Sequence, residues 1–299
     1  MSEPATLSAQ PQAESLWRLT WRQFRRHRLA LFSLILLVLL GVPALFAEHI
    51  APFDPNDIDP RNPHVVRGYP QPPDAAHVLG TDDFNRDLLS RALFGMRLSM
   101  LVGFSAMLVG VTTGVIVGAL AGYAGGAVDN VLMRLVDIFL SVPSFTLFLA
   151  LNALLTPSLW TIVLILGMFS WMEVARLVRA EFLALKERDF IMAAHAIGVP
   201  PWQMIARHLL PNSMGPIIVA ATLAIPAAIL SESALSFIGL GVPPPDASLG
   251  SMLQNAKAWL IDAWWMWIIP GSLISLIVLA FSFVGDGLRD ALDPTLITR

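Results

Sequence analysis

Cysteine is absent from this 299-residue chain. No disulfide framework, thiolate metal site or cysteine nucleophile is available, an absence compatible with any redox compartment. Lysine is nearly absent too: Lys186 and Lys257 are the only two, and Glu187 and Ala258 follow them. A phosphate-cradling loop needs glycines and then a lysine before Ser or Thr, so this chain builds no P-loop ATPase site. Charge is scarce, at 14% of residues against 56% hydrophobic, and mean hydropathy is +0.66. A soluble chain of this length would hold one or two domains, but this composition departs from globular averages in the membrane direction. A net charge of −3 and a pI near 6.0 supply no basic excess for nucleic acid. No His-x-x-x-His pair or carboxylate cluster has metal-ligand spacing, and no nucleophile motif surrounds the serines. His195 and His208 read as loop and packing residues, so the sequence contains no legible enzyme site.

What the chain does contain is long apolar runs. Residues 1–16 are small and polar and are expected to be disordered. Arg18, Arg22, Arg25, Arg26 and Arg28 then precede Leu29–Ala47. That run is long enough to span about 30 Å of hydrocarbon, and no small-residue cleavage site follows it. It therefore reads as a first membrane helix (29–47) behind a cytoplasmic tail (1–28), not as a signal peptide. Residues 48–79 are rich in Pro, Asp, Asn and His, an extended extracytoplasmic loop. LGTDDFNRDLLSRALFGMRLS has the pattern of an interfacial helix, with Arg91 placed to pair with Asp87 one turn back, so the outer segment runs over 48–98.

Five further spans follow, at Ser99–Tyr123, Val131–Leu155, Leu159–Ala180, Met214–Leu240 and Trp267–Val284. They make a five-helix core over 99–285, followed by a tail at 286–299. Gly103, Gly110, Gly114 and Gly118 recur nearly every fourth residue, which predicts close packing against a partner helix. Six spans with an inward N-terminus put both termini and the 184–212 segment in the cytoplasm. The inner segments hold Arg18, Arg22, Arg25, Arg26, Arg28, Arg134, Arg176, Arg179, Lys186, Arg188, Arg207, Arg289 and Arg299. The outer segments hold Arg61, Arg67, Arg86, Arg91, Arg97 and Lys257, a bias of the expected sign. Trp259, Trp264, Trp265 and Trp267 read as an interfacial aromatic belt.

Within 184–212 the sequence ALKERDFIMAAHAIGVPPWQMIARHLLPN is too polar and proline-broken to cross a membrane. Two short helices are predicted. Asp189 would cap the first, whose apolar side is Phe190, Ala194 and Ile197, and Gly198 would end it. Pro200 and Pro201 suit the opening of the second, which would bury Trp202, Ile205, Ala206 and Leu209 and stop at Pro211. Asn212 or Ser213 would cap the next span. A short exposed helix rich in small residues is a shape another protein can grip. Acids at membrane depth cost about 2.5–3.5 kcal/mol each at a helix centre, so Asp137, Glu173, Glu232 and Asp286 stand out. Asp137 is expected to pair with Arg134 and Glu173 with Arg176, one turn along each helix. Glu232 has no neighbour by sequence and reads as an inter-helix polar residue or, second, a pathway contact.

Met192-Ala193-Ala194, Gly198 and His208-Leu209-Leu210-Pro211 fall at the spacing of the cytoplasmic coupling loop of ATP-binding-cassette (ABC) import permeases, which this stretch resembles. Met192 stands where that family carries glutamate. Gly80, Thr81, Asp82, Arg86, Asp87, Ser90, Arg91, Gly95 and Arg97 resemble a signature of the dipeptide, oligopeptide and nickel importer permeases, C-type subunit. Asn85 replaces its usual glycine, and both tolerate a left-handed backbone. LSESALSFIGLGVPPPDASLGSML, with Leu249 where Trp is common, and DGLRDALDP complete four motifs in family order.

The resemblance implies an all-α polytopic fold of six transmembrane helices, the type I ABC importer permease fold, in the cytoplasmic (inner) membrane of a prokaryote. It implies a heterodimer with a second homologous permease chain, two ABC ATPase subunits and an extracytoplasmic solute-binding protein. No cofactor is expected in this chain, because ATP and Mg would be held by the ATPases. The ATPase-coupling contact would comprise Arg188, Asp189, Phe190, Ala193, Ala194, Gly198 and Pro201, with Glu232 and Asp137 as pathway or inter-helix polar residues. Substrates would be peptides or related small solutes, moved by alternating access. An ion-coupled secondary transporter is the main alternative, with Glu232 and Asp137 as ion sites, but no inverted halves are detectable. A membrane scaffold without transport fits the hydropathy and leaves the coupling-loop spacing unexplained.

Overall fold

The computed structural model describes residues 16–58 and 68–292; the expected disorder of 1–16, all but Leu16, and the final Asp293-Pro294 of the last motif lie outside them. The described residues form helices α1 (Leu16–Phe24), α2 (Arg28–Leu45), α3 (Ala47–Ile50), α4 (Leu88–Ala124), α5 (Gly126–Leu140), α6 (Ser144–Leu154), α7 (Leu159–Lys186), α8 (Asp189–Ala196), α9 (Pro201–Gln203), α10 (Leu210–Asn212), α11 (Met214–Phe237), α12 (Leu249–Ala256) and α13 (Trp265–Leu292). A π turn at Met204–Leu209 joins α9 to α10, and a 3₁₀ turn at Lys257–Trp259 follows α12.

Helices α2, α4, α7, α11 and α13 are each long and apolar enough to cross a bilayer, and α5 with α6 makes a sixth candidate bent by 81°. The straight span expected over 131–155 is thus broken. Pro143 disfavours helical backbone at Val142, so the chain turns at Ser141–Pro143 before α6 begins. The interfacial helix expected in the eighties is not separate either: it is the first three turns of the 37-residue α4. The 98/99 and 285/286 boundaries accordingly fall inside α4 and α13.

The glycine series on α4 packs against α7. A methyl group at Gly110, Gly114, Gly118 or Gly122 would meet Ser170, Val174, Val178 or Phe182 at 1.8–2.8 Å. The contacts rise together in both helices, so α4 and α7 run parallel. A chain that leaves α4 at one face and enters α7 at the other must cross in between, and α5–α6 is that crossing. Against α11, Gly103 meets Ile229 and Ser99 meets Glu232, an antiparallel register. Gly285 against Leu223 and Gly215 against Leu292 make α13 antiparallel to α11. Phe24 and Ala30 pack on Gly287, and His27 lies 3.7 Å from Asp290, so α1 joins the end of α13. Both ends of the described chain therefore share a face with α8.

Candidate functional site

The segment between α7 and α11 is anchored by Ile191 and Ala194 of α8 and by Met204 and Leu209 beyond it. All four are buried with Val178 and Phe182 of α7 and Ile217 of α11. The buried sides differ from those expected. Phe190 of α8 and Ile197 just beyond it are exposed, as are Trp202 and Ala206 in the second piece. Ala194 faces inward and is closed to a partner, whereas Arg188, Asp189, Phe190, Ala193, Gly198 and Pro201 lie on the exposed side. Asp189 does not cap α8; it is the first helical residue, where its charge suits the positive end of the helix.

The end of α8 is a Schellman turn. The N–H of Gly198 donates to the His195 carbonyl (3.0 Å) and that of Val199 to the Ala194 carbonyl (3.2 Å), with Gly198 at φ +80°. Pro211 does not stop the second piece. The π turn shifts the hydrogen-bond register, so Pro211 sits in the first turn of α10, where no N–H is required. Ser213 takes the N-cap position of α11, but its hydroxyl and the Asn212 amide make no cap bond; they donate back to the carbonyls of Leu209 and His208. Lys186, absent from the expected site, donates to the Gly122 and Tyr123 carbonyls (3.4 and 3.0 Å) and ties the ends of α4 and α7. Its place in the last turn of α7 was the available signal. Beside α8 a cleft of about 450 Å³ is lined by Tyr123, Lys186, Ile191, Met192, His195 and Met204. The result is a stiff ledge, packed on two spans, that shows Phe190, Met192, Ile197 (82% exposed) and Trp202 (62% exposed) outward.

At the opposite face, side chains from residues 53–56 and 77–91 form a polar knot. Asp82 accepts from the N–H groups of Phe84 and Arg86 (2.9 Å each) and pairs with Arg86 (2.7 Å) and Arg91 (3.4 Å). Arg91 therefore does not pair with Asp87. Asp87 instead caps α4 through the Ser90 N–H (2.7 Å) and bonds His77 (2.9 Å). Arg91 also donates to the Pro55 carbonyl (2.9 Å), and Arg97 pairs with Glu48 (2.7 Å), which holds the Glu48 carboxyl below its ordinary value. The three arginines that crowd this end of α4 are thus each matched by an acid. Burial, and next the Asp82 charge, push the Asp83 carboxyl up. Trp265 is buried and donates to the Thr81 carbonyl (3.2 Å), so it is not part of an aromatic belt; Trp264 and Trp267 remain exposed.

Glu232 joins three helices. Its carboxylate accepts from Ser236 (2.6 Å) and from Ser99 of α4 (3.2 Å). Ser248 donates to Ser236 (3.2 Å), and the N–H of Leu249, opening α12, donates to Ser99 (3.3 Å). Asp137 pairs with Arg176 of α7, not Arg134, because α5 leans on α7 through Val136, Trp171 and Met172. Arg179 likewise holds Asp129 (2.6 Å). Glu173 consequently loses Arg176 as its partner.

A family model described as the binding-protein-dependent transport system inner membrane component matches residues 114–298. A second, the N-terminal TM domain of oligopeptide transport permease C, matches 15–73. The chain is 36% identical to the oligopeptide transport system permease protein OppC of Bacillus subtilis (strain 168), over 99% of this chain and 97% of that protein. It is 38% identical to the di/tripeptide transport system permease protein DppC of Pseudomonas aeruginosa (strain UCBPP-PA14), over 99% and 96%. Among solved structures, an inward-facing MetNI methionine ABC transporter has a chain that aligns with a TM-score of 0.57 at 20% identity, covering 69% of this chain and 98% of that one. A chain of an amino acid ABC transporter crystallised with histidines aligns with a TM-score of 0.53 at 18% identity, over 67% and 94%. These two likenesses are of fold.

Proposed function

We propose, from the premise that this chain belongs to the binding-protein-dependent inner-membrane transport family with an oligopeptide-permease-C-type N-terminal domain, that it is the permease subunit of an ATP-driven peptide importer. The observation that carries the reading is the α8 ledge, a capped helix wedged between two spans with its other side open. A pore with no P-loop needs a separate motor, and a short helix packed on both α7 and α11 is what a motor can move. The α8 face would lie in the cytoplasm of a prokaryote, consistent with the arginines of α1 and its flank. Two ATPase chains, holding ATP and Mg, would grip α8. A second homologous permease would complete the pathway, and an extracytoplasmic binding protein would deliver peptide at the opposite face. Closure of the ATPases would displace α8, rock α7 and α11, and open the pathway outward.

The ion-coupled alternative draws no support from Glu232, whose carboxylate is already met by hydroxyls on two helices. Uptake of a tripeptide by vesicles holding the assembled complex tests the proposal. It is expected to survive collapse of ion gradients and to stop on ATP depletion. The reverse result would overturn it.

A further inference from the structure

Charged side chains stand half in the open at membrane depth on one face of α7. Glu173 and Arg176, both exposed, lie one turn apart on the side of α7 away from the exposed Leu164. Counted from the first residue of α7 at 1.5 Å per residue, Glu173 lies about 21 Å along the helix, inside a hydrocarbon core of about 30 Å that begins at that residue. Arg176 turns to Asp137 of α5, and both remain 52% exposed. Glu173 is exposed and, among the described residues, has no hydrogen bond or ion pair.

A second observation points at the same face. Residues 137–146 around the α5–α6 break are all exposed. Irregular backbone at membrane depth survives only against protein or water, and lipid-facing charge is costly. Phe169, one turn before Glu173, touches Phe139 and Phe148 at centroid distances of 6.2 and 5.6 Å, one on each side of the break. The elbow and the charges therefore border one surface, and lipid does not suit it.

We propose that this surface lines a water-filled stretch of the peptide path, where Glu173 receives the peptide's ammonium end and Arg176 its carboxylate. This deepens the peptide-importer reading and rests on it. The chemistry fits a zwitterion: an acid without a partner among the described residues stands one turn from a guanidinium that has donors to spare beyond its bond to Asp137. Side chains at this i,i+3 spacing start about 5–6 Å apart, close to the roughly 7 Å span of two extended residues. A partner permease lying over the same face is the competing occupant.

Because the chain has no cysteine, E173C places a single thiol there. In the assembled complex, membrane-impermeant methanethiosulfonates are expected to label E173C and to leave V38C, on the exposed apolar side of α2, unlabelled. Loss of one charged hydrogen bond is expected to lower uptake of a dipeptide by about tenfold or more. The anionic sulfonate adduct should recover uptake and the cationic trimethylammonium adduct should not. If E173C labels in the isolated chain but not in the complex, a partner protein covers the face and the proposal fails. Labelling with uptake indifferent to adduct charge also overturns it. Should E173C not assemble, the near-isosteric E173Q serves, and undiminished uptake by it is equally fatal. Labelling uses no peptide, and tripeptide uptake by the unsubstituted complex tests the importer reading on its own, so the two failures are distinguishable.

Discussion

Gly198 offers a test in which backbone conformation separates cleanly from crowding. Its φ of +80° is one that side chains bearing a Cβ rarely adopt, yet a Cβ built there meets no atom within 4 Å. A substitution therefore costs only the left-handed conformation, about 1–2 kcal/mol for an ordinary residue and less for asparagine. That is a factor of about 5–30 in the population of the closed turn. What opens is defined: the Gly198 and Val199 N–H bonds to His195 and Ala194, which set the angle between α8 and Pro200. Hydrogen exchange over 189–199, measured with ATP-driven uptake in the assembled complex, should rank the residues glycine, asparagine, alanine and then valine, whose branched Cβ makes it worst. A G198V variant that matches glycine in both assays would show that φ does not set the turn. If G198N fails as badly as G198V, bulk against a partner is the cause, and the backbone argument falls.

Three further outcomes follow from the packing. G114A should lower the thermal midpoint of the solubilised chain by an overpacking cost of about 1–3 kcal/mol, because its methyl would lie 2.6 Å from Val174 Cβ, whereas G271A, with Leu253 at 3.8 Å, should be near neutral; equal effects would refute the α4–α7 seam. E232L strands the buried hydroxyls of Ser99 and Ser236 at about 1–3 kcal/mol each, whereas E232Q keeps an acceptor and should cost less than half as much, so equal midpoints would sink the lock. Asp83 has a raised carboxyl, so its favourable share of stability is full below the ordinary carboxylate range and is lost as pH rises through the raised value. D83N should therefore be the more stable form at pH 7, with the gap closing on acidification; a gap that widens contradicts the assignment.

Local chemistry and long-range pairing were unequally legible in the sequence. Gly198 followed by two prolines announces the end of α8, and a fourfold glycine spacing announces a seam, because both signals are carried by a few adjacent residues. Which face of α8 goes inward was not legible: Phe190 and Ile197 are as apolar as Ile191, and only the neighbouring Phe182 and Leu209 decide between them. The ion pairs failed for the same reason. Helical spacing offers Asp87 to Arg91 and Arg176 to Glu173, but the loop before α4 and the lean of α5 supply Asp82 and Asp137 instead. Pro143 marked the fourth run without saying whether it would kink or break.

These long-range facts join the ledge to the elbow. The glycine seam locks α4 and α7 together from Gly110 to Gly122, and Lys186 fastens their ends. α7 then carries Glu173 and Arg176 midway and passes to α8 through the two residues Glu187 and Arg188. Displacement of α8 therefore has α7 as a stiff rod through which to reach the α5–α6 break. The break itself, crossing between two parallel helices that cannot slide past each other's glycines, is where the core can yield. Loosening the seam with a bulky residue at Gly118, where a Cβ would meet the Ala175 carbonyl at 2.5 Å, should therefore uncouple ATP hydrolysis from uptake while leaving α8 folded and the ATPases bound. Loss of ATPase binding in that variant would mean that the seam shapes the ledge itself and does not carry its motion.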